Sequence, residues 1–68
     1  MDLDIEVVGK GPVPGTSHMH FEVGVNFDGP IETLTITAIV PDQRSASANR
    51  AAAIARAKEL ARLFAEQA

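Results

Sequence analysis

From Thr33 to Val40 the chain reads TLTITAIV, and from Ser45 to Glu66 it reads SASANRAAAIARAKELARLFAE. In the first stretch Leu34, Ile36, Ala38 and Val40 share one face of an extended chain and Thr33, Thr35 and Thr37 the other, because side chains alternate along a strand. Threonine suits the exposed side of a pleat, being β-branched yet polar. In the second stretch the apolar period lengthens to that of a helix. Alanine dominates it and loses no rotamer entropy on becoming helical. Steps of about 100° per residue gather Ala46, Ala53, Ile54, Ala57, Leu60, Ala61 and Phe64 on one side, with Arg56, Glu59, Arg62 and Glu66 opposite. Arg50 falls within the apolar stripe and Leu63 among the charges. Pro41 and Asp42 end the strand, and Ser45 or Ser47 supplies the N-cap, so a helix is expected over about residues 45 to 66.

Upstream, Leu3, Ile5 and Val7 alternate with Asp2, Asp4 and Glu6, the pattern of a strand with one buried and one wet face. Phe21, Val23, Val25 and Phe27 alternate with Glu22, Gly24 and Asn26 to make a second strand. Between them, residues 9 to 17 contain Gly9, Gly11, Pro12, Pro14 and Gly15, which predict a long connection. Asp28, Gly29 and Pro30 predict a tight turn into the third strand, over residues 31 to 40. The whole is expected to be α+β, a three-stranded antiparallel sheet in β-β-β-α order packed against one long C-terminal helix. Residues 1 to 68 form a single domain.

A chain this short builds a small core, and small domains are usually reinforced by disulfides, a structural metal or oligomerisation. There is no cysteine, which removes the first remedy and the commonest zinc ligand, so self-association is the leading expectation. No apolar run approaches the roughly 20 residues that span a bilayer, and the opening Met1, Asp2, Leu3, Asp4 is unlike a signal segment. The expectation is a cytoplasmic protein with no membrane contact. The net charge of −3 conceals a split. Residues 1 to 43 carry seven acids against Lys10 alone, whereas residues 44 to 68 carry five bases against Glu59 and Glu66. An acidic total argues against a role built on attraction to nucleic acid, although the basic helix leaves that role open.

His18, His20 and Glu22 occupy alternate positions, which on a strand share one face at spacings near about 7 Å. Zinc accepts both residue types, so these three are the candidate metal ligands, set against the reading of exposed side chains beside a loop. No catalytic residues are expected. Ser17, Ser45 and Ser47 suit a turn and helix caps, and Asp2, Asp4 and Glu6 lie on the wet face of a strand. The glycines near residue 10 lack the Lys-Ser or Lys-Thr of a phosphate loop and open no helix. No cofactor is implied.

Gly11 and Pro12 with His18 in the first loop, Phe21, Val23 and Val25 in strand two, Ser45 at the helix start and the paired Ala52 and Ala53 together resemble the β-β-β-α part of a double-stranded RNA-binding domain. The resemblance covers roughly residues 3 to 64. That family's first helix has no counterpart here, and Arg50 is the only base in residues 45 to 50, where the family carries a lysine cluster. The resemblance implies His18, Arg44 and Arg50 as nucleic-acid-binding residues.

The leading functional expectation is a small non-enzymatic interaction module, a homo-oligomer that presents its sheet or helix to a protein partner. Thr33, Thr35 and Thr37 on an uncharged pleat, together with Leu63, are the expected oligomer contacts. The alternatives are binding of structured RNA or DNA through the helix start and first loop, and a metal site on strand two.

Overall fold

A computed structural model describes residues 3–27 and 32–68. Its elements are β1 (Asp4–Pro12), β2 (His18–Asn26), β3 (Thr33–Pro41) and α1 (Ala46–Gln67). The sheet is antiparallel throughout, with β2 between β1 and β3. This is the expected α+β fold in β-β-β-α order. The expected turn at Asp28, Gly29 and Pro30, and the first residue of the expected third strand, Ile31, lie outside the described residues.

The first strand is longer than its alternation suggests. Gly9 to Pro12 were expected in the connection, yet they pair with β2, and the register shifts between Gly9 and Gly11. A bulge of this kind needs one residue in a conformation that side chains resist, and Gly11 supplies it at φ 100°. The connection therefore shrinks to residues 13 to 17. There the Val13 amide donates to the His18 carbonyl at 2.9 Å, and the Thr16 hydroxyl donates to the Val13 carbonyl at 2.9 Å.

Register places Ile5 beside Val25 and Val7 beside Val23 on one side, then Phe21 beside Ala38, Val23 beside Ile36 and Val25 beside Leu34 on the other. All lie on the face toward α1. The buried core is smaller than this row implies: Phe21, Val23, Ala38, Val40, Ala53 and Ala57. Ala38 and Ala53 carry no bulk between backbone and backbone, so the helix lies close to the sheet there. The α1 contacts fall mainly on β3, fewer on β2 and fewest on β1.

That bias corrects the expected core. Leu3 is 50% exposed, Ile5 39% and Phe64 69%, and Ala46 and Arg50 are exposed although the helical stripe contains them. The stripe is aimed at the sheet, but a helix over β3 reaches β1 only sparsely, and its ends are not covered. Leu63, expected among exposed charges, is half-buried.

Replacing Val23, 1% exposed at the centre of β2, by alanine is expected to lower unfolding free energy by about 2 kcal/mol. Ile39→Ala removes a larger side chain from the other face, where it is 42% exposed, and should cost less than about 1 kcal/mol. Urea unfolding of the two variants checks this ordering.

Candidate functional site

The connection from β3 to α1 is built on Asp42, Arg44, Ser45 and Asn49. The Asp42 carboxylate accepts from the Arg44 amide at 2.8 Å, closing a turn of the kind short acidic side chains make with their own backbone. Arg44 takes a left-handed conformation, φ 61°, which turns the chain into the helix. Ser45 is the N-cap, its hydroxyl accepting from the Ala48 amide at 3.3 Å; Ser47, the other expected cap, contacts the Ser45 hydroxyl at 3.2 Å.

Asn49 holds this turn from beneath. Its Oδ1 accepts from the Gln43 amide at 2.7 Å, and its Nδ2 donates to the Asp42 carboxylate at 3.1 Å. It is the buried polar side chain among the described residues, and both ends of its amide are satisfied. The Asp42 amide in turn donates to the Ser17 carbonyl at 3.0 Å, tying the first loop to the helix start. The Arg44 amide first, and the Asn49 amide second, hold the Asp42 carboxyl below the usual carboxylate range.

A cleft of about 330 Å³ opens at this junction, lined by Thr16, Ser17, His18, Pro41, Asp42 and Arg44 among others. It brings together two of the three residues expected from the sequence resemblance to bind nucleic acid, His18 and Arg44. The third, Arg50, is exposed on α1 and does not line the cleft. The acidic Asp42 in the same cleft already has its charge engaged by two protein donors.

His18, His20 and Glu22 lie on the sheet face away from α1, opposite Pro41, Ile39 and Thr37 of β3. They form a row along the strand. Glu22 is 3.6 Å from the Lys10 ammonium, and no group of three or more potential metal ligands converges among the described residues. Thr33, Thr35 and Thr37 are exposed on that same face.

The side toward α1 carries a second feature, which alternation alone did not reveal. Beside the helix runs a groove floored by Ile5 of β1, Val25 of β2 and Leu34 and Ile36 of β3 and walled by Ile54, Lys58 and Ala61. A second stretch, sharing Leu34, Ile36 and Ala61 with the first, lies between β3 and α1 and reaches Leu60 and Phe64. The two stretches, about 90 and 250 Å³, are almost wholly apolar.

No protein-family model, no curated protein and no solved structure matches this chain. Among the described residues no helix is long and apolar enough to cross a membrane.

The Asp42–Asn49 junction makes two linked predictions. Asn49→Ala leaves the Gln43 amide without its acceptor and should lower stability by about 1 to 3 kcal/mol. Because the folded state depresses the Asp42 carboxyl, its contribution is present above the unfolded value, near pH 4, and is lost as pH falls through the lower folded value. Asp42→Asn should therefore flatten the acid limb of stability measured by urea unfolding between pH 6 and 2.

Proposed function

We propose that this protein is a non-enzymatic interaction module that completes its hydrophobic core by self-association. The observation that carries the reading is the incompletely covered sheet: α1 rests mainly on β3, while Leu3 and Ile5, and Leu34 on β3 itself, are exposed on the same face, the last two lining an apolar groove. Single exposed apolar residues are ordinary, but a contiguous strip on the face that also forms the core is surface awaiting a partner. Among the described residues, Val23 is the large side chain fully enclosed. Burial scales with apolar area, so covering the strip adds stability that so small a core lacks.

This reading moves the contact away from the threonine row. The face of Thr33, Thr35 and Thr37 offers β-branched methyl groups and two exposed aliphatic residues, Val8 and Ile39, whereas the groove offers more aliphatic side chains and Phe64. Light scattering across the micromolar range is the test. A mass at least twice 7.2 kDa is expected at the higher concentrations, and a mass near 7.2 kDa throughout would refute the proposal.

A second reading is binding of structured RNA or DNA at the helix start, and what supports it is the meeting of His18 and Arg44 in one cleft. Affinity should then fall with added salt, because each neutralised phosphate releases counterions. Arg44→Ala and Arg50→Ala should each weaken binding. Titration with duplex RNA at low salt decides it: no complex at about 100 μM protein, the weak end of non-specific affinity, removes this reading.

A further inference from the structure

We infer that the occupant of the groove is the open sheet face of a second copy, laid face to face about a two-fold axis so that each copy's Lys58 meets Asp4 and Glu6 of the other. The inference rests on the self-association proposed above and specifies its geometry.

The dimensions come first. Strands are spaced about 4.8 Å apart, a helix is about 10 Å across, and two packed sheets also lie about 10 Å apart. A helix seated on β3 therefore fills the layer above β3 and part of β2, and leaves open a space above β1 that is one layer deep. Either a helix or a sheet face fits that depth. The helix of a second copy is excluded by its chemistry: the side turned away from its own sheet carries Arg56, Glu59, Arg62 and Glu66, with Arg56 paired to Glu59 at 2.7 Å and Arg62 to Glu66 at 2.6 Å. Placed in the groove, that helix would bury those charges against Ile5 and Val25, which is costly. The open half of a second sheet has no such penalty. Its Leu3 and Ile5 are exposed and its Val25 half-buried, all of them apolar, so one patch serves both partners, as a two-fold contact requires.

In this arrangement each helix lies in the same layer as the partner's sheet, alongside the partner's β1. Charge then decides in favour of a second copy of this chain over an unrelated apolar surface. Lys58 is exposed and lines the groove on the wall that faces Ile5 of β1, the side where the partner's β1 would lie. Asp4 and Glu6 are exposed on the outward face of β1, the face that comes level with the outer side of the neighbouring helix. Opposite charges meet twice, once on each side of the axis. The acidic side chains of the two β1 strands point to opposite outer faces and do not confront one another, so the acidic strand that disfavours edge-to-edge pairing is compatible with face-to-face packing.

Three measurements on the full chain test this. A mixture of isotope-labelled and unlabelled protein is treated with a zero-length carbodiimide, and links from Lys58 to Asp4 or Glu6 that join a labelled to an unlabelled chain are expected; links within one chain only would overturn the arrangement. Sedimentation of Leu3→Asp and of Lys58→Glu, each confirmed folded by circular dichroism, should show the dimer dissociation constant raised by about tenfold or more. Adding Asp4→Lys and Glu6→Lys to Lys58→Glu should restore association, which a purely structural role for Lys58 would not predict. Should the parent dimerise while Leu3→Asp and Lys58→Glu leave it unchanged and Thr35→Lys abolishes it, the face-to-face arrangement fails and self-association stands. A parent that is monomeric throughout removes both.

Discussion

The short connection between β3 and α1 governs the rest of the molecule. Four residues, 42 to 45, separate the end of an edge strand from the first residue of a 22-residue helix. A chain that reverses in so little length must lay its helix back over the strand it has just left. The turn is held in that form by the Asp42 carboxylate, the left-handed Arg44 and the buried amide of Asn49. Covering β3 well means covering β1 poorly, since the strands are spaced across a width greater than one helix.

The core and the uncovered strip are two results of that single placement. Ala38, Ala53 and Ala57 let α1 approach β3 and the centre of β2, which is where Phe21, Val23 and Val40 are enclosed. The apolar residues farther from the helix have the same chemistry but no neighbour above them. Hydrophobic burial depends on area removed from water and not on residue type, so Ile5 and Val23, adjacent in character and on the same face, contribute very differently. The self-association proposed for this protein follows from the difference between them.

The two ends of the sheet also differ in chemistry. Near His18 and Pro41 the first loop, the helix start and the strand ends are joined by backbone hydrogen bonds, and the exposed groups are mainly polar. At the opposite end, near Leu34 and Phe64, the surface is apolar. A partner that covers the apolar end leaves the cleft holding His18 and Arg44 accessible, so the two readings of function use separate surfaces.

The element order and the strand faces were legible in the sequence, because alternation and helical periodicity are local properties set by backbone geometry. Of the two serines expected as N-cap the structure selects Ser45, and the helix limits differ from expectation by a single residue at each end. The extension of β1 through Gly9 to Pro12 was hidden, since glycine and proline signal a turn unless a partner strand is present to hold a bulge. Asn49 gave no signal either: a lone asparagine in an alanine-rich helix reads as a surface residue until the turn above it is seen to need an acceptor and a donor. His18, His20 and Glu22 were correctly placed on one face by alternation, but whether they converge is a matter of side-chain direction. Periodicity determines which side of each element is apolar. Only the tertiary structure decides how much of that side is covered, because coverage depends on where one helix rests across three strands, and that position was set by the polar turn joining it to β3.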